Sequence, residues 1–151
     1  MIQPSAQPEG LQFDIAEPYL VAMTVPDSDI DVMGHANNTA YLKWLEKAAW
    51  QHSQYLGLDW PDYQKNDCTL VARHTELNYL KACFAGDKLL LATWISENDG
   101  RCSVTRSYQL MRIADKQTVL RGLTKWVSVS LSAGKIKRMP KHYIEAYKTM
   151  A

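Results

Sequence analysis

The stretch Asp27-Ser-Asp-Ile-Asp-Val-Met-Gly-His-Ala-Asn-Asn38 sets three alternating carboxylates, a Gly-His pair and two adjacent asparagines directly ahead of an apolar run. That run carries Tyr41, Trp44, Leu45, Ala48, Ala49 and Tyr55, mostly at the spacings of three and four that mark a helix, and Gly57 stops it. Asn37 or Asn38 supplies the N-cap, because a side-chain oxygen there accepts a hydrogen bond from a free amide of the first turn. A helix from Asn38 to about Leu56 with this load of large aromatics is expected to be the central core helix.

The polar segment itself admits several chemistries. A calcium loop of the EF-hand type needs Gly at its sixth position and Glu at its twelfth. Counted from Asp27, those positions are Val32 and Asn38. His35 is the one nearby imidazole, whereas zinc takes three or four protein ligands. No metal site is expected. Asp27 and Asp29 read as solvated turn residues. From Asp31 to Asn38, polar atoms converge where a strand ends and a helix begins. Free helix amides beside a carboxylate suit a reacting carbonyl: the amides hold the developing negative oxygen, and the carboxylate attacks or activates water.

Working outward, residues 1–18 carry Pro4, Pro8 and Pro18 and read as a flexible or loosely docked lead-in, with one domain over 19–151. Tyr19 to Val25 is a first strand ended by Pro26, and Leu58 to Lys65 is a short helix or loop. Strand-like segments follow at 69–82, 87–97, 101–114 and 117–131. Gly86-Asp87, Asn98-Asp99-Gly100 and Ala114 to Gln117 separate them with hairpin-type turn signals. A short helix from Pro140 to Met150 closes the chain. The order predicts an α+β fold in which one long helix covers one face of an antiparallel meander.

The bulk numbers narrow the function classes. A chain of 151 residues, 46% hydrophobic and 22% charged, suits one globular domain. A net charge of +1 argues against a nucleic-acid partner. No run is long enough to span a membrane, and the first residues lack a signal peptide's basic start and apolar stretch, so a cytoplasmic location is expected. Cys68, Cys83 and Cys102 are odd in number and show no CxxC spacing, which reads as reduced thiols rather than a disulfide frame.

Asp31-Val-Met-Gly-His-Ala-Asn-Asn-Thr-Ala-Tyr-Leu-Lys-Trp-Leu-Glu46 resembles the signature of the hotdog-fold acyl-CoA thioesterases of the 4-hydroxybenzoyl-CoA thioesterase type. Glu76 to Asp87 is similar to that family's second-strand segment ending in Gly-Asp. Lys125-Trp-Val-Ser-Val-Ser-Leu131 and Lys135-Ile-Lys-Arg-Met-Pro140 resemble its last strand and closing turn. The resemblance implies a hotdog fold, a long central helix wrapped by a five-stranded antiparallel sheet. It implies hydrolysis of an acyl-CoA to free acid and CoA, with neither metal nor cofactor.

By the same resemblance, Asp31 falls at the catalytic carboxylate and Asn38 at the helix-start amide that polarises the thioester carbonyl. His35 lies beside them as a third catalytic candidate that orders the loop or a water, and Asn37 and Tyr41 in the same motif are substrate-binding candidates. His74 and Glu76 alternate onto one strand face, where they line an acyl tunnel or pair with each other. Arg101, Lys137 and Arg138 are candidates for the CoA phosphates. Lys81-Ala82 departs from the Arg-Pro the family often has after the second-strand Tyr. Glu46, a second acid on the helix, reads first as a surface or helix-end salt bridge. Whether Asp31 is nucleophile or general base stays open. So do an acyl-carrier-protein substrate and a non-catalytic acyl-CoA-binding hotdog module. Exposed sheet edges must be covered, and the family covers them by forming a homodimer or homotetramer with shared sites.

Overall fold

The computed structural model describes residues 7–150. Its elements are β1 (Tyr19–Thr24), α1 (Asn38–Tyr55), α2 (Trp60–Lys65), β2 (Thr69–Tyr79), β3 (Lys88–Asn98), β4 (Ser103–Arg112), β5 (Gln117–Val129) and α3 (Lys141–Ala146). One antiparallel sheet has the order β1-β3-β4-β5-β2 and wraps α1, as a hotdog fold does.

The meander holds only for β3, β4 and β5. β2 does not form a hairpin with β3; it pairs with β5 and ends the sheet on the far side. The segment around Gly86-Asp87 is a crossover rather than a hairpin turn, because the end of β1 captures it. Val25 N–H donates to Asp87 O at 2.9 Å, Gly86 N–H to Val25 O at 2.9 Å, and Ala36 N–H to Cys83 O at 2.8 Å. Those bonds deliver β3 to β1 instead of to β2.

The side of α1 that carries Ala40, Tyr41, Leu45, Ala48, Ala49, His52 and Ser53 is buried. Its apolar members pack on Leu89, Leu91, Tyr108 and Leu110. Tyr55, expected on the core side, is exposed. Asn37 is the N-cap, its Oδ1 accepting from Thr39 N–H at 3.0 Å. Successive side chains of a strand point to opposite faces, so Leu90, Ala92 and Trp94 of β3 face away from α1. They form a second cluster with Leu11, Leu20 and Met111, bordered by Phe13 and Ile15.

Of the lead-in expected to be flexible or loosely docked, residues 1–6 lie outside the described residues. From Leu11 onward it lies on the outer face of the sheet. Leu11 is buried, Asp14 N–H donates to Gln109 Oε1 at 2.8 Å, and Arg121 holds the Asp14 carboxylate at 2.8 and 3.0 Å. A third cluster joins Leu58, Tyr63, Cys68, Ile95, Tyr143 and Tyr147 around α2 and α3.

Candidate active site

The segment Ile30 to Ala36 is a small closed turn. Ile30 bridges Ala36, Asp31 N–H donates to His35 O at 2.8 Å, and Gly34 N–H donates back to Asp31 O at 3.0 Å. Gly34 sits at φ +81°, a left-handed conformation that other residues adopt only with strain. The Asp31 carboxylate closes the turn with one oxygen: Oδ1 accepts from Met33 N–H at 2.9 Å and His35 N–H at 3.3 Å. Its second oxygen, Oδ2, has no hydrogen-bond partner among the described residues. One oxygen of the carboxylate orients the group within its own turn, and the other is left without a protein partner among the described residues.

The turn is tied to the start of α1 on both sides. Asn37 N–H donates to Asp29 O at 2.7 Å, and the Asp29 carboxylate accepts from Trp44 Nε1 at 2.9 Å. Asp29 is therefore an anchor and not the solvated turn residue its sequence context predicts. With Thr39 and Ala40 N–H both bound to Asn37, the Asn38 N–H is left with no acceptor among the described residues. A first-turn amide of this kind carries the positive end of the helix dipole. Tyr79 of β2 donates its hydroxyl to Asn38 O at 3.0 Å, which ties the sheet edge to the same helix end.

The other motif residues divide by position. His35 is half-buried with its ring edge-on to Phe84 at 5.2 Å. Asn37 is occupied as cap, accepting from both Thr39 N–H and Oγ1. Tyr41 lies in the core, 3% exposed against Trp44 and Tyr79, with burial pushing its pKa well above the ordinary tyrosine range. His74 and Glu76 are exposed and pair with each other at 2.9 Å. Cys68 and Cys83 are buried free thiols whose pKa burial raises, which disfavours a thiolate nucleophile.

Residues 25–147 match the family model of the thioesterase-like superfamily. The chain belongs to this superfamily. None of the curated proteins matches it. Solved structures similar to this thioesterase-like chain include a hypothetical protein from Aquifex aeolicus, at 21% identity and TM-score 0.79, covering 87% of this chain and 100% of that one. A 1,4-dihydroxy-2-naphthoyl-CoA thioesterase from Synechocystis follows at 19% identity and TM-score 0.77, covering 85% and 93%. The DHNA-CoA thioesterase of Staphylococcus aureus is similar at 20% identity and TM-score 0.77, covering 85% and 87%. At these identities the likeness is one of fold.

Within this superfamily member, the basic candidates lie far from Asp31. Arg101 sits in the β3–β4 turn, where Met139 N–H donates to its carbonyl at 2.7 Å. β3 separates that turn from the Asp31 end by its full length, about 35 Å at the usual rise per residue. Lys137 is already engaged, its Nζ donating to Asn66 O at 2.9 Å and Asp67 O at 3.0 Å just past α2. Arg138 is exposed.

Sequence reasoning missed a cavity of about 150 Å³ between α1, β2, β5 and α3. Glu46, Trp50, Ser53, Leu70, Arg106 and Trp126 are on its wall. Glu46 makes no ion pair among the described residues, contrary to the salt bridge expected for it, and stands at this cavity instead. A usable signal existed for Arg106: it shares strand parity with Val104, Tyr108 and Leu110, so an inward cation was legible in β4. Among the described residues no helix is long and apolar enough to cross a membrane.

Proposed function

We propose that the chain hydrolyses the thioester of an acyl-CoA, with Asp31 as catalytic carboxylate and the Asn38 N–H as donor to the oxyanion. The observation that carries this reading is the half-free carboxylate of Asp31 beside an open helix end, on a thioesterase-like chain. A thioester carbonyl needs only modest activation. As the carbonyl carbon becomes tetrahedral, charge moves to its oxygen, and a fixed amide donor stabilises that charge without reorganising. Asp31 either adds to the carbon through Oδ2, giving an anhydride that water opens, or takes a proton from the attacking water. In both routes CoA leaves as the thiol and the acid departs as carboxylate. The reading belongs to the cytoplasm, where reduced thiols and acyl-CoA coexist.

The reading includes a homodimer with shared sites. β2 is exposed along most of its length, and among the described residues its outer edge has no strand beside it. Leu42, Trp50, Val71 and Tyr79 expose large apolar surface on and near it. An antiparallel pairing of two β2 edges brings the Tyr79 end of one copy beside the Thr69 end of the other. That supports placing the Arg101, Lys137 and Arg138 end of one protomer near Asp31 of its partner, a meeting that the length of β3 forbids within one chain. CoA phosphates would then meet Arg101 and Arg138, Lys137 being held by α2.

The deciding experiment follows thiol release from a panel of acyl-CoAs with a thiol reagent. Turnover of at least one acyl-CoA well above the uncatalysed rate is expected. Tight binding of acyl-CoA without release would instead identify a non-catalytic binding module.

A further inference from the structure

The cavity beside α1 holds a buried cation that no carboxylate pairs with among the described residues. Arg106 is 3% exposed, and its guanidinium donates to His52 Nδ1 at 2.7 Å, Thr93 Oγ1 at 3.2 Å and Ser53 Oγ at 3.3 Å. All three partners are neutral. His52 is kept so by burial, together with the nearby Arg106 charge, which push its pKa down to about 3. Among the described residues no carboxylate pairs with Arg106. A guanidinium presents five N–H bonds, so neutral partners leave part of the fork over.

Buried charges are ordinarily paired, because removing an ion from water costs several kcal/mol that only a good partner offsets. A second donor stands on the same wall. Trp126 buries its Nε1 with no acceptor among the described residues. Around these two donors the wall is largely apolar, with Leu70, Ile95 and Val104. Such a composition, apolar with a few convergent polar groups, is that of a ligand pocket. Its volume is about that which holds a benzene-sized group.

We propose that this cavity receives the distal end of the acyl group and selects acyl chains that end in a carboxylate. The proposal rests on the acyl-CoA hydrolase reading. Ser53, whose Oγ holds the guanidinium, lies fifteen residues along α1 from Asn38, about 22 Å at the helical rise. A long acyl chain with its thioester at Asn38 spans that distance. Its terminal carboxylate accepts from the remaining guanidinium N–H bonds and from Trp126 Nε1, and charge-assisted bonds of this kind are the strong ones. Glu46 is the acidic residue on the wall; it is exposed, so water screens it, while Arg106 acts from a fully buried position. An alkyl chain of equal length leaves both donors unpaired, and a site built to bond a polar group rejects the analogue that lacks it.

The test compares kcat/KM for matched pairs that bracket the span: dodecanedioyl- with dodecanoyl-CoA, tetradecanedioyl- with tetradecanoyl-CoA, hexadecanedioyl- with hexadecanoyl-CoA. At least one dicarboxylic member should be preferred by about tenfold or more, with the preference falling towards unity in Arg106→Gln. Equal or better turnover of the alkyl member in every pair overturns the proposal, whether or not the variant folds. Calorimetric binding of free suberate against the uncharged octane-1,8-diol gives a readout independent of turnover. Suberate binding that Arg106→Gln abolishes, without hydrolysis of any ester, leaves the cavity standing and removes the hydrolase reading. Hydrolysis without preference, and no suberate binding, does the reverse.

Discussion

Asp31 spends one carboxylate oxygen on its own turn and keeps the other free, so a substitution that preserves shape separates the two duties. Asp31→Asn retains an oxygen acceptor for Met33 and His35 N–H while removing the charge. Turnover should fall by about 10²-fold or more with the melting temperature little changed. A well-folded variant that keeps most of its activity would move the catalytic role to Glu46. His52 supports a second expectation. Its pKa is 6.5 in the unfolded chain and about 3 in the folded one, so between these values the unfolded state binds the additional proton. Stability is therefore fully present above about pH 6.5 and declines as pH falls towards about 3, by a few kcal/mol at most. His52→Asn keeps an acceptor for Arg106 and cannot titrate. Urea unfolding at about pH 7 and about pH 4 should show a smaller acid loss in the variant than in the parent chain.

The elements were legible to differing depths. α1 was read from Tyr41, Leu45 and Ala48 on one stripe, with Asn37 before it and Gly57 after it, because helix periodicity and caps are local. β3, β4 and β5 were read from their hairpin turns, where Asp99 Oδ1 gathers the N–H groups of Arg101, Cys102 and Ser103. The partner of β2 was not legible, since it depends on where the crossover before β3 is captured. The docking of the N-terminal segment depends on distant residues in the same way: Leu11, Phe13 and Ile15 acquire a partner surface only once Leu90, Ala92 and Trp94 exist as one face. Leu11→Ala should lower the unfolding free energy by about 2 kcal/mol, measured by urea titration. Loss within a few tenths of a kcal/mol would mean that the segment contributes little to stability.

At the scale of the whole molecule, the exposed β2 edge is the surface on which the proposed dimer rests. A sheet-edge strand with apolar neighbours invites a second copy. Light scattering at micromolar concentration should give a dimer or a multiple of one. Val71→Lys, which places a charge on that strand, should shift the protein towards monomer and reduce hydrolysis together with it. A stable monomer hydrolysing at full rate would remove the shared site while leaving Asp31 in place.

The sequence by itself determined what short-range physics controls. Asp31 and Asn38 bracket a turn into a helix because the Gly34 turn, the Asn37 cap and the apolar period are written within a few residues of each other. The tertiary structure alone decided what depends on surfaces brought together from distant segments. It placed β2 beside β5, laid Leu11 on the outer face of the sheet, and turned Lys137 towards the carbonyls that follow α2. It also enclosed Arg106 with His52 and Ser53, residues more than fifty positions away, because burial and the pairing of charge are properties of the packed chain and not of any one segment.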